Sequence, residues 1–206
     1  MLQRVFELKA PAMLRHLLLV LLLAPPWVSA QTDFVFKDDP LRMFWSHLAA
    51  LCGQAFEGEL VQHPEGETGF VGQRLIMHVR DCDRDWIRIP FSVGEDRSRT
   101  WLITRNAGRI QLKHVHRHED GSPDEVSMYG GRASNRGRDT VQYFPADEHT
   151  RQTIEAAFSN VWVIEISPEK TFTYGLRRLG TERVFQIDFD LTRPVEPPPP
   201  PWGWID

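Results

Sequence analysis

Apolar and polar side chains alternate with a period of two along most of the chain between residues 54 and 191. In one segment, Ile87, Ile89 and Phe91 fall on one face, and Arg88 and Ser92 fall on the other. Because successive side chains of a β-strand point to opposite faces, this alternation predicts strands with one buried face. About ten strands are predicted: Gln54–Val61, Arg74–Asp81, Trp86–Val93, Thr100–Arg105, Arg109–His116, Glu125–Tyr129, Asp139–Phe144, Val161–Ser167, Thr171–Arg178 and Arg183–Leu191.

A helical period replaces the alternation in two places. The first predicted helix covers residues 40–52, where Asp39 suits the N-cap and Pro40 the first turn. Its apolar stripe comprises Leu41, Phe44, Trp45, Leu48 and Leu51. We expect this stripe to pack on the main body as a lid or a plug. The second predicted helix covers Glu148–Phe158 and has Asp147 as its N-cap.

Many short strands joined by short, turn-rich connections are typical of antiparallel sandwiches and barrels. Strands that follow one another in sequence usually pair in space, and closure into a barrel removes the exposed edges of a sheet. We therefore predict an all-β fold with minor helices, an antiparallel up-and-down β-barrel of about ten strands, lipocalin-like in outline. Residues 31–193 form this barrel domain, with an N-terminal lid helix and one late helix.

Length and composition are those of a single globular domain. The 206 residues are 41% hydrophobic and 25% charged, and the formal net charge is -4. This length suffices to bury a core without dense disulfide stapling. The mildly acidic balance argues against a broad nucleic-acid-binding surface, so we expect no nucleic-acid partner.

The first 30 residues have the pattern of a signal peptide. An apolar run, Leu17–Ala24, follows Arg15, and small residues at positions 28–30 offer a cleavage site. The run is shorter than the roughly 20 apolar residues of a transmembrane helix. We expect export to the periplasm or the medium, no transmembrane segment after cleavage, and a translation start at either Met1 or Met13.

Cys52 and Cys82 are the two cysteines of the chain. An oxidising compartment, which export implies, favours a disulfide between them over two free thiols. The loop-entropy model assigns about 3–4 kcal/mol of stability to a bridge of this span. We expect a Cys52–Cys82 disulfide, with two buried free thiols as the alternative.

The chain ends in a proline-rich tail, residues 194–206, which contains five consecutive prolines. Such a run favours a stiff polyproline II conformation, and neither a helix nor a strand is expected there. Two interpretations are open. The tail is either a strap whose Trp202 and Trp204 pack on the barrel wall, or a docking peptide for a protein of the cell envelope.

The densest chemical signal is the run from His114 to Glu119, which reads HVHRHE. On a strand, His114 and His116 continue the inward face that Ile110 and Leu112 begin. Two imidazoles at positions i and i+2 can chelate one divalent transition metal such as Zn, Cu, Ni or Fe, with Glu119 as an oxygen ligand. A polar lining for an organic ligand, or no special role, are the alternatives.

Opposite charges lie close together in the sequence of the last two predicted strands. Arg177 and Arg178 belong to one strand, and Asp188 and Asp190 belong to the next. We expect these side chains to pair across the strands on the outer wall of the barrel.

Several segments together resemble a family of uncharacterised exported bacterial proteins. They are Arg88–Trp101, Leu112–Gly121, Tyr129–Gly131, Phe144–Asp147 and Phe189–Thr192. The resemblance covers most of residues 40–204 and implies export without implying an activity. The order of elements is also similar in outline to lipocalin-like, fatty-acid-binding-protein-like and nitrobindin-type haem barrels. Ala55 stands where the lipocalin Gly-x-Trp signature places tryptophan after Gly53.

The leading functional expectation is the binding of a small, largely apolar molecule inside the barrel. Convergent apolar faces with a few polar groups are what such a pocket needs. The predicted lining residues are Ile87, Ile89, Phe91, Ile110, Leu112, His114 and His116.

Two alternatives come from other classes of function. The run from Gly108 to Glu119 partly resembles the first cupin motif, which implies a metal-dependent enzyme with His114, His116 and Glu119 as ligands. The proline-rich tail suggests a structural or interaction module of the cell envelope. We expect a binding protein rather than an enzyme.

Overall fold

A computed structural model of the chain describes residues 39–204. The predicted signal peptide and both candidate start positions lie outside the described residues. The elements are helices α1 (Pro40–Ala49) and α2 (Glu148–Thr153), a 3-10 helix (Glu155–Ala157), and strands β1 (Ala55–Gln62), β2 (Leu75–His78), β3 (Asp81–Cys82), β4 (Trp86–Val93), β5 (Asp96–Asn106), β6 (Arg109–His116), β7 (Tyr129–Arg132), β8 (Val141–Pro145), β9 (Asn160–Ser167), β10 (Thr171–Arg178) and β11 (Val184–Val195).

All strands of the described residues belong to one antiparallel sheet. The sheet order is β7-β6-β5-β4-β2-β1-β11-β10-β9-β8, and the short β3 pairs with β4. Strands adjacent in sequence pair with one another except β2 with β3 and β7 with β8, and β1 pairs with β11, so the first and last strands meet. The result is a nearly closed up-and-down barrel with one helix near the N-terminus and one late helix, which confirms the predicted fold class.

Side-chain caps begin both helices where the sequence predicts them. The Asp39 carboxylate accepts a hydrogen bond from Leu41 N–H at 3.2 Å, and the Asp147 carboxylate accepts one from Thr150 N–H at 3.0 Å. The prediction of one continuous late helix to residue 158 is wrong. The backbone at Ile154 leaves the helical region, with φ -137° and ψ 86°, and the chain continues as the 3-10 helix.

The barrel closes between β7 and β8 through side chains and one backbone bond, without a strand ladder. Asp147 N–H donates to Gly130 O at 2.9 Å. The Thr150 hydroxyl accepts from Gly130 N–H at 2.7 Å and lies 2.7 Å from Gly130 O. An ion pair between Lys113 Nζ and Asp147 Oδ2, 2.5 Å long, also spans the gap between β7 and β8. We call this junction the seam.

The seam explains why β7 differs from its prediction. The sequence predicts a strand over Glu125–Tyr129 that ends before Gly130, whereas the structure places Gly130 and Gly131 inside β7. A Cβ atom at Gly131 would overlap the carbonyl oxygen of Pro145. Glycine is therefore required there because only a residue without a side chain lets β7 approach β8 so closely.

Helix α1 plugs the end of the barrel where β5 turns into β6. Its residues Leu41, Phe44, Trp45 and Leu48 are buried in the hydrophobic core. The guanidinium of Arg105, at the end of β5, lies 4.6 Å from the Trp45 ring centroid. The sequence left two interpretations of this helix, a lid or a plug, and the structure shows a plug.

The proline-rich tail begins later than predicted. Strand β11 continues through Pro194 to Val195, and Pro194 pairs with Phe56 of β1 beside a register shift. The prediction that the tail excludes a strand from residue 194 is thus wrong at its first two positions. A proline has no N–H for a ladder, and sheets tolerate it at irregular positions such as this one.

The rest of the tail packs against the outer barrel wall. Trp202 N–H donates to Arg97 O at 3.2 Å, and the Arg97 guanidinium donates to Pro200 O at 2.9 Å. The Trp204 ring lies under two guanidinium groups, those of Arg80 at 5.3 Å and Arg88 at 5.1 Å. These contacts are those of the strap interpretation.

The predicted disulfide is confirmed. Cys52 and Cys82 are bonded, with their Cα atoms 6.2 Å apart, and the bridge ties the segment after α1 to β3. Among residues 39–204, no helix has both the length and the apolar character needed to cross a membrane.

Candidate functional site

A cavity of about 350 Å³ lies inside the barrel at the end opposite α1. The loop of residues 63–74, the β10–β11 hairpin and residues 154–160 surround its entrance. Small-molecule sites usually have volumes of about 300–1,000 Å³. The cavity is therefore large enough for a small organic molecule.

Stacked aromatic rings form one wall of the cavity. The ring of Trp101 in β5 stacks on Phe91 of β4 at 4.9 Å and on Tyr174 of β10 at 4.3 Å. Phe91 and Trp101 occupy inward positions of the paired strands β4 and β5, and Tyr174 reaches Trp101 across the barrel interior from β10. Such a wall offers a flat, apolar surface that suits another planar ring.

His114 of β6 sits at the base of this wall with both ring nitrogens engaged. Its Nδ1 lies 3.1 Å from the backbone oxygen of Tyr129, and its Nε2 lies 2.7 Å from the Tyr174 hydroxyl. A carbonyl can only accept, so Nδ1 carries the proton and Nε2 accepts from the phenol. Burial lowers the pKa of His114 to about 3, and the imidazole is neutral near pH 7.

The second imidazole, His116, is also neutral and polar. Its Nε2 lies 3.0 Å from the Tyr129 hydroxyl. Burial and then the nearby charge of Arg99 lower the pKa of His116 to about 4. Burial raises the pKa of the Tyr129 phenol to about 12 and that of the Tyr174 phenol well above its ordinary value. The polar groups at the base therefore offer hydrogen bonds without charge.

Charged side chains are confined to the entrance of the cavity. Arg99, Arg178 and Arg183 line it there together with Glu67. The Phe70 ring of the 63–74 loop covers part of the opening and packs edge-on against Phe185 at 4.9 Å. The cavity thus has an apolar interior and a charged entrance.

The sequence-predicted lining residues divide into two groups. Phe91, His114 and His116 line the cavity as expected. The other four, Ile87, Ile89, Ile110 and Leu112, face the barrel interior but lie in the hydrophobic core beneath the cavity, where α1 also packs. The division follows the barrel axis, because each strand contributes its residues near α1 to the core and its residues near the opening to the cavity. A ligand-binding role stays a prediction for all seven.

The proposed metal ligands are not assembled into a site. His114 and His116 meet at the cavity, but both imidazoles are already hydrogen-bonded to tyrosines, and Glu119 is exposed in the turn after β6. Among the described residues 39–204, no group of three or more His, Cys, Asp or Glu side chains is arranged to hold a metal ion.

The expected ion pairs on the last two strands are absent from the described structure. Asp188 accepts from Thr173 at 2.7 Å, and Asp190 accepts from Arg193 at 2.7 Å. The strand register places Arg177 opposite Val184, so sequence proximity gave the wrong partners. Arg178 instead lines the cavity.

Several lining residues were missed by the sequence analysis. Trp162 and Tyr174 occupy inward positions of strands whose alternation was recognised, so extending the face assignment to β9 and β10 finds them. The same extension finds Arg178 at the end of β10, whereas Phe70 and Arg183 lie in or beside loops, where no periodic pattern marks a direction.

Comparison of the chain with protein-family models, with curated proteins and with solved structures gave no match. The functional argument therefore depends on the geometry of the cavity itself.

Proposed function

We propose that this protein binds a small, largely apolar molecule with an aromatic part in the cavity of its barrel. One observation carries this proposal: a cavity of about 350 Å³ whose interior wall is a stack of aromatic rings. Well-formed apolar pockets with a few convergent polar groups are the usual form of small-molecule sites. A solidly packed barrel would need none of this space.

The base of the cavity supports binding rather than chemistry. His114 and the Tyr174 hydroxyl hydrogen-bond each other at 2.7 Å, so neither side chain is free to act as a base. The Nε2 of His116 lies near the Tyr129 hydroxyl at 3.0 Å and can exchange that bond for one to a ligand. A neutral polar base of this kind orients a ligand without requiring it to be charged.

We also propose that the protein works after export, in the periplasm or outside the cell. The Cys52–Cys82 disulfide supports this location, because disulfides persist in oxidising compartments and are rare in the cytosol of most organisms. The resemblance of residues 1–30 to a signal peptide points the same way.

A neutral fluorescent probe tests the binding proposal. N-phenyl-1-naphthylamine emits strongly only in apolar surroundings, and we expect saturable fluorescence enhancement with the purified protein. Leu176→Trp places an indole in the space that the leucine side chain lines, so the affinity for the probe should fall at least tenfold.

The matched control is Leu179→Trp. Leu179 lies in the adjacent β10–β11 hairpin and is 55% exposed, outside the cavity. This variant should bind the probe as the wild type does. Absence of saturable binding by wild type, or equal binding by both variants with native circular dichroism spectra, contradicts the proposal.

A further inference from the structure

The entrance of the cavity holds two neighbouring arginines, Arg178 and Arg183. They flank the β10–β11 hairpin, and Arg178 N–H donates to Arg183 O at 3.0 Å, so the backbone fixes the two residues side by side. Both side chains line the cavity. The hairpin thus presents two positive charges to any molecule that enters.

Neither guanidinium is neutralised within the described part of the chain. Arg178 Nε donates to the neutral Asn160 side chain at 2.9 Å, and the ion pairs of residues 39–204 include neither arginine. The Nε of Arg183 is buried and has no hydrogen-bond partner. Burial, and then the neighbouring positive charge of Arg183, lower the pKa of Arg178.

Arg99 and Glu67 are the other charged residues that line the entrance. The Arg99 guanidinium donates a hydrogen bond to the Asp96 carboxylate within an ion pair. The Glu67 carboxylate accepts from Gly69 N–H at 2.7 Å within its own loop. Glu67 carries one negative charge against the two positive charges of Arg178 and Arg183, so the entrance keeps a net positive charge.

A buried, unpaired donor is costly, and two adjacent cations add to the cost. An anionic group placed between them removes both penalties at once. Guanidinium groups match the planar geometry of a carboxylate and form bidentate hydrogen bonds with it.

We infer that the ligand of this cavity is an amphipathic carboxylate, whose acid group accepts hydrogen bonds from Arg178 and Arg183 while its apolar body packs on Trp101. This inference depends on the proposed function and adds the chemical class of the ligand. The cavity holds a molecule in one orientation, with its ring inward and its acid at the entrance.

Two probes of equal size and different charge test the inference. 2-Naphthaleneacetic acid is ionised at pH 7, and 2-naphthaleneacetamide is its neutral isostere. Isothermal titration with the full chain should show the acid binding at least tenfold more tightly than the amide. Arg178→Gln and Arg183→Gln should each remove most of this preference and leave the affinity for the amide within about twofold of wild type.

Arg177→Gln is the matched control, because Arg177 precedes Arg178 in the same strand and is exposed outside the cavity. This variant should keep the full preference for the acid. Added salt should weaken binding of the acid more than binding of the amide, since charge–charge attraction is screened.

The outcomes separate this inference from the proposed function. If the amide and N-phenyl-1-naphthylamine bind while the acid binds no more tightly, the carboxylate site is overturned and the apolar cavity stands. A preference for the acid that survives both arginine substitutions also overturns the site. If none of the three probes binds, the proposed function itself fails.

Discussion

At the scale of single residues, burial decides the protonation state of the histidines in β6. His114 is 3% exposed, and its two ring nitrogens are engaged by Tyr129 O and the Tyr174 hydroxyl. A proton added to Nε2 would break the bond from the phenol and place a charge among aromatic rings. The folded protein therefore resists protonation of His114 far below the ordinary histidine pKa of about 6.5.

This resistance makes stability depend on pH. The folded-state pKa of His114 is about 3, below its unfolded value of about 6.5, so its contribution is complete above pH 6.5 and is lost as pH falls. The expected loss is about 1.4 kcal/mol per pH unit between these values. The free energy of unfolding in urea, measured between pH 7.5 and 5, tests this, and His116 acts in the same direction.

The variant His114→Gln isolates the effect. We expect it to be less stable than wild type at pH 7.5, with a difference that narrows by about 1.4 kcal/mol per pH unit below pH 6.5. His118→Gln is the control, because His118 is exposed in the turn after β6, and it should follow the wild-type curve. Parallel curves for wild type and His114→Gln would contradict the assignment.

Sequence patterning found the residue positions better than it found their partners. The alternation in β6 correctly predicts that His114 and His116 point inward with Ile110 and Leu112. It contains no information on Tyr129 or Tyr174, which arrive from β7 and β10 and engage the imidazoles. The metal hypothesis rested on the β6 sequence alone. It could not take account of the two tyrosines that hydrogen-bond to the proposed histidine ligands.

At the scale of elements, the seam between β7 and β8 replaces the last ladder of the barrel. Asp147, the N-cap of α2, both begins the helix and bonds to Gly130 of β7. One loop residue thus couples helix formation to barrel closure. The closeness of the two strands depends on Gly131, which faces the Pro145 carbonyl.

Gly131→Ala tests the seam. The added methyl group meets backbone atoms, which cannot move away cheaply, so the free energy of unfolding should fall by about 1–3 kcal/mol. Gly69→Ala is the control, because a Cβ atom there lies 3.2 Å from the flexible Glu67 side chain. Urea denaturation should separate the two variants, and equal stabilities would show that the seam is not tightly packed.

The predicted elements are accurate where the pattern is long and regular. The bounds of β4, β6 and β10 agree with the prediction at both ends. The bounds of β7 differ from the prediction, because a pair of glycines usually ends a strand. Gly130 and Gly131 lie within β7 because β8 approaches it too closely for a side chain. Sequence patterns report local preference, whereas a close contact between distant segments depends on the whole fold.

At the scale of the whole molecule, the proline-rich tail packs against the outer wall of the barrel and does not extend into solvent. Pro201 is buried, and Trp204 lies beneath the guanidinium groups of Arg80 and Arg88. Each cation–π contact of this kind contributes about 0.5–1 kcal/mol at an exposed site. The tail is therefore a part of the folded domain.

Truncation after Val195 should lower the stability of the barrel. We expect a loss of about 2 kcal/mol, or roughly 4–8 °C in the melting temperature for a domain of this size. Trp204→Ala should produce part of this loss. Differential scanning calorimetry measures both, and an unchanged melting temperature after truncation would favour the docking-peptide interpretation instead.

Because α1 fills one end of the barrel, a molecule in the cavity exchanges with solvent past Phe70 and the β10–β11 hairpin. Uptake and release then share one passage. A substitution that only obstructs this passage slows both processes by the same factor, so occupancy at equilibrium stays constant while the residence time lengthens. With one end of the barrel closed by α1, the residence time of a bound molecule can therefore change while its affinity stays constant.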